Sequence, residues 1–179
     1  NSMLKYFVRL LLLIACVIGF FALIGSLLPR SYDFERSIVI NAPADEIFPL
    51  LNSPRRWPEW SRQWGGELAQ QLDLDIQYNG EAAGVGAAQT WTDPRGSGKL
   101  WITKSTPNQL VEFEVLLANF PSMTSQWVLD QKSEAATSVK WHSQGSLPSG
   151  PFYGYFGGFF STQMGYEYEN SLAKLKSVV

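Results

Sequence analysis

The sequence predicts an α+β fold, an antiparallel sheet with helices on one face, behind an N-terminal apolar helix. Three observations carry that prediction. Residues 10–28 form an uncharged apolar run. The rest reads as one strand, two short helices and about six further strands between Leu72 and Leu147. A single long helical stripe closes the chain. At 179 residues the chain is long enough for one domain with its own core. Asn1 and Ser2 precede Met3 and are set aside as an expression remnant. Residues 3–30 are assigned to a membrane anchor and residues 31–179 to the domain.

The anchor is justified first. Leu10 to Leu28 reads LLLLIACVIGFFALIGSLL. At about 1.5 Å per residue it matches the roughly 30 Å hydrocarbon core of a bilayer, and it lacks the polar face of a helix packed on a soluble core. Lys5 and Arg9 precede it, which by the positive-inside rule puts the N-terminus in the cytoplasm and the domain on the far side. In a bacterium that is the inner membrane, with the domain facing the periplasm. Arg30 and Arg36 just past the run oppose this bias. A cleaved signal peptide is the alternative, but the run exceeds a usual signal core and no A-x-A site follows it.

Phe34 to Ile40 alternates FERSIVI, a strand. Asn41-Ala42-Pro43 starts a helix, with Pro43 at the first helical position and Asp45 and Glu46 at the positive end of the dipole. Ile47, Leu50 and Leu51 share a face, and Asn52-Ser53-Pro54 ends it. Pro49 removes the bond to the Asp45 carbonyl, which predicts a kinked or shortened helix. Trp57-Pro58-Glu59-Trp60 reads as a second short helix. Leu72, Leu74, Ile76 and Tyr78 alternate with polar residues as a strand. Asn79-Gly80 turns the chain, and Gly84-Val85-Gly86 marks a bulge or tight bend. Ala88–Thr92 is a strand, Asp93 to Gly98 a hairpin loop, and Leu100–Ser105 the return. After the turn at Thr106-Pro107-Asn108, Leu110–Leu117 and Met123–Leu129 alternate strongly. Residues 133–137 turn, and Ser138–Ser146 is the last strand. The stretch GSLPSGPFYGYFGG then leads to a stripe of Phe160, Met164, Tyr168, Leu172 and Leu175, with Lys174 and Lys176 at its C-terminal end.

The segments SIVINAPADEIFPLLN and RRWPEW, followed in order by GVGAAQTW, ITKSTPNQLVEFEV and SVKWHSQG, resemble the START/Bet v 1-like superfamily (SRPBCC; polyketide cyclase/dehydrase and lipid transport). The resemblance covers residues 34–178. It implies a helix-grip fold: a curved antiparallel sheet of about seven strands wrapped around the long C-terminal helix, with an apolar cavity between them and the two short helices as a brace. Members with one N-terminal membrane helix are familiar. The activities of this superfamily are diverse, so the resemblance speaks to fold more than to function.

Composition excludes several functions. All 16 acids follow residue 31, with 11 of the 14 Lys and Arg, so the body carries a net charge of −5 and the N-terminal segment +3. An acidic body without a basic cluster argues against nucleic acid. Cys16 is the only cysteine and lies in the apolar run, so disulfide scaffolds and cysteine-based zinc sites are excluded. The single histidine, His142, belongs to no metal motif; no metal or cofactor is expected. His142 with Glu112 is the one acid/base pairing available. A strand histidine and a solvated Glu112-Glu114 face are the plainer readings, and the balance is against an enzyme.

The aromatics carry more weight: seven Trp, seven Tyr and eleven Phe. Core packing accounts for part of them. The other part points to an apolar pocket for a hydrophobic small molecule or lipid, such as an isoprenoid or polyketide-like molecule. The candidate ligand-binding residues are Trp57, Trp60, Trp91, Trp101, Trp127, Trp141, Phe160, Met164 and Tyr168, with Tyr153 and Phe156 controlling access. For Trp57 and Trp60 packing of the second short helix is the plainer reading, with a place at the pocket rim as the other. Gly165, in mid-helix, either keeps space in a pocket or lets a strand approach. The glycine-broken aromatics from Phe152 to Phe160 either close one end of the pocket or form a patch that touches the bilayer. An envelope interaction module is the third alternative.

Overall fold

The alternating segments assemble into one seven-stranded antiparallel sheet in the order β1-β7-β6-β5-β4-β3-β2. The computed structural model describes residues 2–64, 67–93 and 96–179. Helix α1 (Ser2–Leu27) leads to β1 (Ser31–Ile40), α2 (Ala44–Leu51), a first 3-10 helix (Pro54–Glu59) and α3 (Glu67–Gln71). Strands β2 (Asp75–Asn79), β3 (Ala88–Asp93), β4 (Gly96–Thr106), β5 (Leu110–Leu117), β6 (Met123–Ser133) and β7 (Ala136–Ser146) follow. A second 3-10 helix (Tyr153–Phe156) runs into α4 (Gly157–Val178). This is the helix-grip α+β architecture that the sequence predicts.

Strands β1 and β4 to β7 alternate buried inner residues with more exposed outer ones, as a sheet covered on one face requires. The inner face carries Phe34 and Ile40 of β1, Val139 and Trp141 of β7, Trp127 and Leu129 of β6, Val111, Phe113 and Val115 of β5, and Leu100 and Ile102 of β4. Tyr168, Leu172 and Leu175 of α4 cover it, together with Ile47 and Leu51 of α2 and the buried Trp57 and Trp60. Strand β1 pairs with β7 along its whole length, Ser31 opposite Ser146 and Ile40 opposite Thr137, so first and last strands adjoin under α4.

Several boundaries differ from expectation. Pro43 is the extended N-cap rather than the first helical residue, and α2 ends at Leu51, two residues past Pro49. The second short helix is a 3-10 helix that begins at Pro54. Leu72 and Leu74 precede β2, and the short α3 occupies the stretch just before them. Gly96 to Gly98 belong to β4 rather than to a loop; Pro94 and Arg95 of that expected loop lie outside the described residues. Strands β6 and β7 reach to Ser133 and Ala136, leaving a tighter turn than the sequence suggests. Asn108 (φ 58°) and Asn119 (φ 67°) take left-handed turn conformations, which asparagine tolerates better than other side chains with a Cβ.

Candidate functional site

The inner face is lined by aromatic rings in continuous contact. Phe160, at the start of α4, packs on Tyr32 with centroids 4.8 Å apart. Phe34 lies 5.2 Å from Tyr168, whose ring stacks on Trp141 at 3.7 Å and 12°. Trp141 contacts Trp127 at 5.2 Å, and Trp127 stacks on Phe113 at 4.5 Å. Trp57 and Trp60 pack edge-on to Trp127, at 5.0 and 5.5 Å. Trp64 bridges Phe113 and Trp91, the last ring toward the β3 edge. Trp57, Trp60, Trp127, Trp141, Phe160, Met164, Tyr168 and Trp91 are thus brought together. Trp57 and Trp60 also donate their indole N–H groups to the Leu51 and Leu50 carbonyls, which ties the brace to α2.

A buried hydrogen-bond chain runs beneath the rings. The Tyr168 hydroxyl bonds Ser143 at 2.8 Å, Ser143 bonds Ser125, and the Trp141 indole donates to Ser125 at 2.8 Å. Burial pushes the Tyr168 hydroxyl far above the usual tyrosine range, and its bond to Ser143 offsets only part of this. Burial also raises Tyr32.

Other buried polar atoms have no partner among the described residues. On the sheet side these are Trp64 Nε1, Trp127 Nε1 and Gln89 Oε1. Where the 61–64 segment meets α4 they are Gln63 Oε1, Glu167 Oε2 and Ser171 Oγ. The Gln63 side-chain amide contacts the Met164 sulfur at 3.7 Å, and Met164, Glu167 and Ser171 follow at helical spacing on one face of α4. Unpaired buried donors and acceptors each cost about 1–3 kcal/mol, so such a set calls for water or a ligand with hydrogen-bonding groups. Of the residues with unpaired atoms only Trp127 is a candidate from the sequence; Gln63, Gln89, Glu167 and Ser171, like Tyr32, Phe34, Trp64 and Phe113, do not stand out there as site residues. For Phe113 the signal was present: it alternates with Glu112 and Glu114 and so faces away from them.

The remaining candidates lie elsewhere. Trp101 sits between the inward-facing Leu100 and Ile102, so it projects outward, with the Lys99 ammonium 5.0 Å from its ring centroid. His142 and Glu112 also face outward. His142 pairs with Asp33 at 2.9 Å, Glu112 bonds the Thr103 hydroxyl at 3.1 Å, and Gln126 stands between them in the register. Among the described residues, open hollows of about 370 to 740 Å³ also lie on the outer face or its edges; Glu35, Asp130, Lys140 and His142 line one of about 370 Å³. Among the described residues no group of His, Cys, Asp and Glu is placed to hold a metal.

Gly165 leaves room for a side chain that reaches over from β1. A Cβ there would collide with the Arg36 guanidinium, which crosses α4 from β1 to reach Glu169 at 2.6 Å. The aromatic stretch before α4 is largely exposed, Tyr153 at 39% and Phe156 at 55%. Its other side rests on α1: the Tyr155 hydroxyl donates to the Phe21 carbonyl at 2.7 Å. Helix α1 is long and apolar enough to cross a membrane, and most of its side chains are exposed.

A family model described as polyketide cyclase / dehydrase and lipid transport matches residues 31–179. No curated protein matches the chain significantly. Solved structures with the same fold include norcoclaurine synthase from Thalictrum flavum in complex with dopamine and hydroxybenzaldehyde, at 12% identity and TM-score 0.57, covering 85% of this chain and 90% of that one. The Aha1 dimer from Colwellia psychrerythraea is similar at 18% identity and TM-score 0.55, covering 80% and 92%. A protein from Chromobacterium violaceum matches at 13% identity and TM-score 0.55, covering 82% and 96%. At these identities the likeness is one of fold.

Proposed function

The chain belongs to the polyketide cyclase/dehydrase and lipid transport family, and from that premise we propose that it is a membrane-tethered domain that binds an apolar small molecule or lipid between α4 and the inner face of the sheet. Helix α1 is the tether. With Lys5 and Arg9 ahead of it, the N-terminus is cytoplasmic and the domain lies across the membrane, in the periplasm if the host is bacterial. The observation that carries this reading is the unbroken series of rings from Phe160 to Trp91, an apolar surface that runs along the inner face of the sheet. The unpaired Trp64, Trp127, Gln89 and Ser171 atoms supply donors and acceptors to hold a polar group of the ligand. The ligand is therefore amphipathic, with an apolar body along the rings. The buried residues of α4 begin only at Gly165, so its first two turns are the part that lifts to admit the ligand.

Binding of this kind needs no covalent step. The enzyme reading has less support, since the His142 and Glu112 side chains face away from the aromatic lining and each is engaged by a neighbour. Thermal unfolding of the full chain against fractionated lipid extract tests the proposal. A ligand at a hundred-fold excess over its Kd adds about 2.7 kcal/mol, an upward shift of roughly 5–10 °C for a chain of this length. A saturable shift from one lipid class supports binding. Equal, small shifts from every apolar fraction overturn it.

A further inference from the structure

The junction between α1 and the second 3-10 helix fixes where the domain sits. Only Leu28, Pro29 and Arg30 separate α1 from β1, and the Leu147 amide bonds the Arg30 carbonyl, so the exit is short and tied to the sheet. Two glycines make the contact closer. A Cβ on Gly25 would overlap the Pro151 carbonyl and meet the Tyr155 ring at 2.6 Å. A Cβ on Gly154 would meet the Gly25 carbonyl at 2.5 Å and Leu28 Cβ at 2.6 Å. Small residues that let two backbones approach are the usual means of close packing in lipid. The Tyr155 hydroxyl reaches Phe21, six residues before the end of α1, which is about 9 Å back along the helix axis. The loop therefore lies beside the last turns of the apolar run rather than above them.

At that level the chain exposes Phe152 (47%), Tyr153 (39%), Tyr155 (41%), Phe156 (55%) and Phe159 (64%). No Lys or Arg occurs from residue 141 to 173. The β5–β6 turn, which the register places at this same end of the sheet, exposes Leu117 and Phe120. Resting on the tethering proposed above, we infer that residues 152–159 are embedded in the boundary between headgroups and acyl chains, clamped to the anchor by Gly25 against Gly154. The occupant of this apolar face is the bilayer itself. Interfacial elements insert to about 5–10 Å, the depth at which Tyr155 is held, and aromatic side chains favour that layer. With no basic residue in the segment, insertion is driven by apolar area and needs no anionic lipid. The start of α4, where the ring series begins at Phe160, is thereby immersed in the membrane, so an apolar ligand passes between bilayer and domain without crossing water.

Site-specific fluorescence on the full chain in phosphatidylcholine vesicles tests this. The native Cys16 carries an environment-sensitive dye in one sample. Cys16→Ser combined with Phe156→Cys, and Cys16→Ser combined with Glu134→Cys, carry it in two others; Glu134 lies in the β6–β7 turn at the far end of the sheet. Lipids with a nitroxide at shallow or deep acyl positions serve as quenchers. The inference predicts deep quenching at Cys16, loss of emission to the shallow quencher at position 156, and none at position 134, unchanged when anionic lipid is added. Deep quenching at Cys16 with an aqueous signal at 156 overturns the inference and leaves the tether standing. An aqueous signal at Cys16 overturns both.

Discussion

Tyr168 allows the packing of α4 on the sheet to be tested quantitatively. Its ring stacks on Trp141 at 3.7 Å, its hydroxyl bonds Ser143 at 2.8 Å, and none of the residue is exposed. Tyr168→Phe keeps the ring and removes one hydrogen bond, while Ser143 keeps Ser125 as a partner. The expected loss is about 1 kcal/mol, roughly 3 °C in Tm for a chain of this length. Tyr168→Ala also removes the stack and opens a void, for about 3–5 kcal/mol, or roughly 10 °C or more. Thermal unfolding of the detergent-solubilised chain, followed by near-ultraviolet dichroism, measures both. Alkaline titration gives an independent reading. Burial raises the folded pKa above its unfolded value near 10, so the stabilising effect is complete below pH 10. Above that, the unfolded state gives up its proton first and stability falls by up to about 1.4 kcal/mol per pH unit. Tyr168→Phe removes this group's share of the fall, and the Tyr32 share, of the same sign, remains. A neutral Tyr168→Ala, or an alkaline slope that Tyr168→Phe leaves unchanged, refutes the packing described.

Two further substitutions test local claims by the same melting assay. Gly165→Ala displaces the flexible end of Arg36 and loses its partly exposed bridge to Glu169, worth about 0–1 kcal/mol, but gains about 1 kcal/mol of helix propensity. The net change is expected within about 1 kcal/mol of zero, and a loss above 2 kcal/mol would show a role for Gly165 beyond clearing Arg36. Pro49→Ala restores an N–H for the Asp45 carbonyl at an exposed position of α2, and is expected to stabilise by about 1–2 kcal/mol; a loss of stability contradicts the cost assigned to Pro49.

The fold was legible in the sequence where a residue type has a single local solution. Asn41-Ala42-Pro43 places the start of α2 to within one residue, and the period change after Ser146 locates α4. Helix α3 was hidden because five residues are too few to show a 3.6-residue period, and Leu72 and Leu74 continue the alternation of β2 backward past its start. The direction of Trp101 was hidden for another reason. Leu100, Trp101 and Ile102 are all apolar, and only pairing with β3 and β5 decides which faces inward. The contact of Gly25 with Gly154 spans more than a hundred residues and leaves no local trace. The unpaired Gln63, Gln89 and Glu167 atoms are likewise products of tertiary packing, since each side chain reads alone as solvated.

Native mass spectrometry of the full chain, released from lipid nanodiscs, tests ligand binding most directly. One tightly held amphipathic molecule per chain, of a defined mass, is expected to survive loss of the surrounding lipid. A bare chain, or a ladder of mixed lipid adducts that all leave together, would contradict ligand binding.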